Sequence, residues 1–451
     1  MSSVQTGPPI SCELLLERAS DLLREALSQG ADEAQVTSRG AEETKVRYEK
    51  NDFTCTSTNG TLTLSLKVYC MGKKGTASTN DLGADALKDT AQRAIALASF
   101  SLEDEHLSLP PDGPTQDVPG RFDQHLAELT APELHDLAAD FIRVAKADAR
   151  ISLDGGQVEV TKYYEALVNS NGLSRTDRIT RLDWTLMGLG KTETETTSFD
   201  YLSGSSWKWD GAIDLAKDTA EKLVASILAS FGPSTCPSYK GHVMLSPGVL
   251  SSLVLQPIGY HVGGAQLMDG KSLWENSLGD LVASPSFTLK DSAHNTQLMG
   301  ASPYDSEGVP TQPLTIIEDG VLSAHVDSTY TAKKRGTKST GHAGGFHTLE
   351  VSGGKATKRE LLEAADRLVV VERFSGNVDP LTGDFSGIAK GSHYYEDGQY
   401  KYALSETMIA GNFFEMIKSI QGLTKDPRPY CGQYVAPWIL VNGVSVTGTA
   451  S

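Results

Sequence analysis

Several absences narrow what this 451-residue chain can be. It has only five cysteines, Cys12, Cys55, Cys70, Cys236 and Cys431, an odd number, widely scattered and without Cys-x-x-Cys spacing. That argues against a disulfide scaffold or paired-thiol zinc module and fits reduced thiols in a cytoplasm. No apolar run approaches the length of a membrane span, so none is expected. The opening MSSVQTGPPIS lacks a basic segment followed by an apolar one, so no signal peptide is expected there. Basic residues are outnumbered, 40 against 57 acidic ones, for a net charge of −17. No basic stripe offsets that balance, which repels phosphate backbones, and nucleic acid is not an expected partner. A His-Glu-x-x-His motif, a phosphate-cradling lysine loop and a Gly-x-Ser-x-Gly elbow are all missing. Gly341-His342-Ala343-Gly344-Gly345 is glycine-rich but follows no βαβ pattern, which leaves nucleotide binding a weak idea.

What remains is the composition of a soluble globular protein, 39% hydrophobic and 22% charged, long enough for two or three cores. Leu15, Ala19, Leu22, Leu23 and Ala26 recur at helical spacing after Ser11 or Cys12, with Gly30 suited to the C-cap. Glu33 to Asp52 reads as strands, and Leu62, Leu64, Leu66 and Val68 alternate as a half-buried strand. Helices are expected over 84–99, from Pro132 to about 148 and over 211–230. Strands are expected near 158–168 and 179–189, around the turn at 169–172. The proline-rich, acidic 102–131 reads as a connecting loop, and 192–198 as a solvated strand edge. After the breaks at Gly232-Pro233 and Cys236-Pro237 come many short β signals, with helical runs at 245–255, 358–368 and 409–420. The expectation is an α+β chain. A flexible tail (1–10) precedes an N-terminal domain of antiparallel sheet and helices (11–232), then a mostly antiparallel β domain (236–451).

The stretch from Arg373 to Met416 is rich in glycine and polar residues. It sets glycine beside an aromatic twice, in Gly383-Asp384-Phe385-Ser386-Gly387 and in Ala410-Gly411-Asn412-Phe413. Glycine permits positive φ and close backbone approach. These strings are either tight turns between short strands or a wall that an extended chain can approach closely.

The same stretch, TGDFSGIAKGSHYYEDGQ followed by SETMIAGNFFEMI, resembles the C-terminal signature of the TldD/PmbA family, two-subunit metallopeptidases once called modulators of DNA gyrase. The likeness runs over nearly the whole chain and is strongest from Lys240 onward. It implies that a catalytic, TldD-type subunit binds zinc through a helical His-Glu-x-x-x-His motif and a cysteine. Here the six motif positions fall on Leu255-Gln256-Pro257-Ile258-Gly259-Tyr260. Leucine and tyrosine replace the imidazoles, and Gln256 has no useful basicity for activating water. Cys431 stands where the resemblance places the cysteine ligand, and is otherwise a buried small hydrophobe. His261, one position past the motif, has no partner ligand nearby in sequence. His342 and His347 form a loop pair spaced i, i+5. Asp305 and Glu307, in SPYDSEGVP, are either a charged turn or a contact shaping a channel or subunit joint.

The resemblance therefore implies a PmbA-like, metal-free and non-catalytic subunit, with zinc and proteolysis in a TldD-like partner. Its expected contacts to substrate or partner are Gly383, Asp384, Phe385, Ser386, Gly387, Ala410, Gly411, Asn412, Phe413, His261, Asp305 and Glu307. Leu255, Gln256, Tyr260 and Cys431 are the vacated motif positions. The expected substrate is an unfolded or small peptide, and the expected location cytoplasmic. Two rivals stay open: a stand-alone, metal-independent hydrolase using Tyr260, His261, His393 and Glu396, and a homodimeric scaffold.

Overall fold

The computed structural model describes residues 10–448 apart from Gly344 and Glu406. Most of the tail expected at 1–10 therefore lies outside the described residues, as do the last three of the 236–451 segment. Ile10 is described, and its side chain lies against Gly40.

The first element, α1 (Cys12–Ser28), starts where Ser11 accepts the Leu14 N–H, a side-chain cap for an otherwise unpaired helix donor. β1 (Glu33–Glu49), β2 (Asp52–Cys70) and β3 (Lys73–Thr79) follow, then α2 (Ala84–Ser99) and the short α3 (Gln124–Glu128). In α4 (Ala131–Lys146) the Glu133 carboxylate accepts the Thr130 N–H, and Pro132 sits in the first turn, where its missing N–H costs nothing. β4 (Ile151–Asn169), β5 (Ser174–Gly190), β6 (Asp200–Ser206) and α5 (Ala212–Ala229) complete this half. The six strands form one antiparallel sheet in the order β3-β2-β1-β4-β5-β6. Helices cover one face: α1 and α2 over Val36, Leu64, Leu66 and Val68, and α4 and α5 over Val46, Val158, Leu182 and Trp184. Helix α2 lies so close to β3 that a β-carbon on Gly75 would fall 1.9 Å from the Ala94 carbonyl oxygen.

Alternation sends polar side chains to the other face. There Arg39 pairs with Glu165 at 2.5 Å, Lys45 with Glu159 at 2.8 Å and Arg181 with Asp183 at 2.7 Å. The C-terminal half packs on part of this face. Gly308 meets Leu167 and Leu173, and the Trp207 indole N–H donates to the Leu298 carbonyl at 3.2 Å.

That second half is strand-rich. β7 (Tyr239–Leu245) lies inside a nine-stranded sheet, parallel to Arg367–Val371 and antiparallel to Ile439–Thr447. A separate six-stranded sheet includes Leu289–Asp291, Leu314–Glu318 and Leu349–Val351. Val243, Leu253, Ile258, Phe287, Ile316, Val369 and Phe413 belong to the core of this half. The arrangement is the expected α+β class. Two helical expectations differ in detail. The 409–420 run is a strand (Met408–Asn412), a helix (Phe413–Lys418) and a strand (Ile420–Leu423), because Asn412 accepts the N–H groups of Phe414 and Glu415 and so starts the helix late. The 358–368 run is a helix only to Glu363, before the strand Arg367–Val371. No helix among the described residues is long and apolar enough to cross a membrane.

Candidate functional site

After β7 the chain turns helical at Pro247, with the Ser246 hydroxyl donating to the Glu372 carbonyl at 2.6 Å. The helix is not uniform. Ser251–Leu255 forms a wider π turn before the α-helical Gln256–Val262. Pro257 accounts for the irregularity, since proline has no N–H to donate and its ring crowds the carbonyl four residues back. Leu255 is buried in the core beside Leu253, Val254 and Ile258, Gln256 is exposed, and Tyr260 is half-buried. An aliphatic side chain, an amide and a phenol do not make a zinc donor set. Among the described residues, no three His, Cys, Asp or Glu side chains converge as a metal-binding group.

His261 is fully buried, its Nδ1 accepting the Leu273 N–H at 3.2 Å and its ring 4.9 Å from that of Phe414 and 5.1 Å from that of Tyr260. Its Nε2 is buried without a hydrogen-bond partner. Burial pulls its pKa down from 6.5 to about 4, so the ring is neutral at pH 7. Cys431, in a left-handed backbone conformation at φ 51°, lies elsewhere, in a cavity it shares with Ser203, Gly204, Trp207 and Met299. None of that cavity's lining residues comes from 255–261.

The two glycine–aromatic strings are neighbours in one sheet. Asp384 pairs with Asn412, Phe385 with Gly411, Ser386 with Ala410 and Gly387 with Ile409. A β-carbon on Gly411 would lie 2.8 Å from the Phe385 ring, and one on Gly383 2.8 Å from Phe414. Gly387 faces Gly376 so closely that its β-carbon would fall 2.5 Å from the Gly376 Cα. The room these glycines open is filled by the chain's own rings and backbone. Asp384 and Ser386 remain exposed, and Phe413 is buried.

Asp305 and Glu307 belong to a tight turn. The Asp305 carboxylate accepts N–H bonds from Glu307 at 2.9 Å, Val309 at 3.0 Å and Ala343 at 2.9 Å. The Glu307 carboxylate accepts the Thr329 N–H at 2.8 Å, at the start of the helix Thr329–Arg335. Burial raises the Asp305 carboxyl from 3.8 to about 6. This turn walls a cavity of about 780 Å³ between the polar face of the six-stranded sheet and the C-terminal half. Arg39, Arg121, Glu165, Asp177, Tyr304 and His347 also line it. Arg121 binds Asp177 at 2.7 Å, and the Tyr304 hydroxyl is buried with no hydrogen-bond partner. The His342 and His347 rings lie 5.2 Å apart, and His342 Nε2 is 3.5 Å from Asp291 Oδ2. The Asp291 carboxylate is already taken by the N–H groups of His347 and Thr348.

Residues 238–448 match the model of the PmbA/TldA metallopeptidase C-terminal domain, and residues 39–98 match domain 1 of the same metallopeptidases. The chain belongs to the PmbA/TldD family. It is 28% identical to metalloprotease PmbA of Escherichia coli O157:H7, over 95% of this chain and 98% of that protein. It is 27% identical to a PmbA homologue of Haemophilus influenzae, over 80% of this chain and 81% of the relative. In fold it is similar to TldE from Thermococcus kodakarensis, with a TM-score of 0.86 and 21% identity, covering 96% of this chain and 100% of that one.

Within this PmbA/TldD member, Tyr260 and His261 are adjacent, whereas His393 lies on the strand His393–Glu396 beside Tyr400. None of these three, nor Glu396, lines the 780 Å³ cavity. Reasoning from sequence missed Arg121, Asp177, Tyr304 and Asp291. They are far apart along the chain, and no local motif joins them.

Proposed function

We propose that this chain is the metal-free, non-catalytic subunit of a heteromeric TldD/PmbA-type zinc metallopeptidase, with zinc and the water-activating glutamate in a TldD-like partner. The observation that carries the reading is the 255–260 segment. Leu255 is committed to the core, Gln256 points to solvent and Pro257 sits after the π turn. No proton acceptor or imidazole stands there to activate water. Cys431, in its separate cavity beside Ser203, adds nothing to a donor set at that helix. The names of the PmbA relatives support the peptidase context.

In this reading the chain contributes a wall. The cavity floor, with Thr37 and Arg39 on β1 and Tyr163 and Glu165 on β4, offers side-chain hydrogen-bonding groups that suit the main chain of an unfolded or small peptide. Asp305 and Glu307 hold the opposite wall in shape. The ladder joining Gly383–Gly387 to Ala410–Phe413 keeps the 255–262 helix and Phe414 in place, and the complex works in the cytoplasm.

The test is co-expression with a TldD-type subunit, followed by cleavage assays on an unfolded peptide. The pair cleaves, and this chain alone does not. Metal-independent turnover by the purified chain would instead favour a hydrolase in its own right.

A further inference from the structure

On the polar face of the six-stranded sheet, Gln35 of β1, Lys67 of β2 and Thr76 of β3 stand in one cross-strand row. Thr37, Ser65 and Ser78 form the next row. These six side chains line a hollow of about 410 Å³, and Thr37 and Ser65 line the 780 Å³ cavity as well, so the smaller space opens into the larger. Lys67 is the one charged side chain in the two rows. Its ammonium makes no ion pair or hydrogen bond among the described residues and lies 5.8 Å from the centre of the Tyr69 ring. The acids around it are engaged elsewhere. Asp305 accepts three backbone N–H groups, Glu307 accepts the Thr329 N–H, and Glu33 accepts the Leu109 N–H at 3.0 Å. Burial pulls the Lys67 pKa down, the direction expected of a lysine that has lost water without gaining a counter-ion. Directly opposite, Gln35 is 5% exposed and its Oε1 is buried with no hydrogen-bond partner. A buried acceptor left without a donor is costly.

A cation without an anion, beside an acceptor without a donor, complements a carboxylate and an N–H carried on the same residue. We infer that this hollow holds the last residue of a peptide, its terminal carboxylate on Lys67 Nζ and its backbone N–H on Gln35 Oε1. The inference rests on the cavity being a wall for peptide substrate, and adds the direction in which that peptide lies. Directly opposed residues of an antiparallel pair have β-carbons roughly 5 Å apart, near enough for both side chains to meet a single residue. The row beyond, Glu33, Tyr69 and Lys74, closes the hollow: Tyr69 is buried, and Glu33 is held by the Leu109 N–H. A chain entering from the large cavity therefore ends here, as a free terminus does and the middle of a peptide does not. The net charge of −17 works against any anion at long range, so a preference for a free carboxylate reports a local cation.

Fluorescence anisotropy on the purified full chain tests this, with a short, N-terminally labelled, uncharged peptide made as the free acid and as the C-terminal amide. The acid binds at least about tenfold more tightly than the amide at low salt. Lys67→Met removes the preference and leaves the amide's affinity unchanged, while Lys67→Arg keeps most of it. Gln35→Glu supplies the missing counter-ion from within the sheet and also removes the preference. Circular dichroism and melting temperature check that the variants keep the fold. Equal affinity for acid and amide overturns the inference, as does a preference that survives Lys67→Met. An amidated peptide with one internal aspartate that binds as tightly as the free acid gives Lys67 to a side chain and overturns it too. A chain that binds neither form also overturns it, yet cleavage by the co-expressed pair would still stand, so the two readings fail separately.

Discussion

The Asp305 carboxylate accepts the Ala343 N–H at 2.9 Å across 38 residues of sequence, fastening Ala343 to the cavity wall. Two further backbone N–H groups meet the same carboxylate, yet burial still raises its pKa from 3.8 to about 6.

The sign of the pH effect follows from that direction. A carboxyl with a raised folded pKa binds protons more tightly in the native state, so its contribution is most favourable below about pH 4 and is lost as pH rises through about 6. The unfolding free energy of the wild type relative to Asp305→Asn should therefore fall by on the order of 2 kcal/mol between pH 4 and pH 7. Chemical denaturation at several pH values measures it. A difference that does not change with pH contradicts a buried, titrating Asp305.

His261 behaves in the opposite sense. Its pKa is lowered to about 4 by burial, so the stability it permits is complete above about 6.5 and is lost as pH falls toward 4. Imidazole NMR signals should report a neutral ring down to pH 5. His261→Phe should gain stability over the wild type on acidification. A ring that titrates near its ordinary value would mean that it contacts solvent or a ligand.

Arg121 has its guanidinium over the Trp207 ring, 5.6 Å from the centroid, and binds Asp177 at 2.7 Å. Arg121→Met leaves the mostly buried Asp177 carboxylate unpaired and should cost about 3 kcal/mol at pH 7. Asp177→Asn added to it should recover much of that loss. A double-mutant cycle with no coupling would show that the pair does not hold the cavity wall.

Gly387→Ala would drive a methyl into the Gly376 Cα and the Ser375 carbonyl oxygen, 2.5 and 2.6 Å from the ideal position. Backbone cannot yield as a side chain can, so a loss of about 2–3 kcal/mol is expected by thermal or denaturant unfolding. A neutral substitution would mean that this strand pair is loosely held and open to an incoming chain.

What could be read from sequence depended on whether a segment buries one face. Ser11, Leu15, Ala19, Leu22 and Gly30 announce α1, because a capped amphipathic helix carries its own period. Leu62 to Val68 announces the half of β2 beneath the helices. The first half of the same strand, Phe53 to Gly60, is largely exposed and thus shows no alternation at all. The run from Ile409 to Ile420 is largely apolar, and the Asn412 cap separates strand from helix. That Leu255, Gln256 and Tyr260 stand at motif positions is an expectation only the resemblance supplies, since each residue is ordinary in its own place. The cavity was out of reach, because Arg121 and Asp177 are joined across 56 residues of sequence and Tyr304 reaches them only through the docking of one half on the other.

Zinc content is the most direct test of the central claim. Metal analysis by mass spectrometry should find far less than one zinc per chain in this protein purified alone, and about one per heterodimer when it is purified with a TldD-type subunit. Cys431→Ser in this chain should change neither value. Stoichiometric zinc in the isolated chain, removed by Cys431→Ser, would contradict the account.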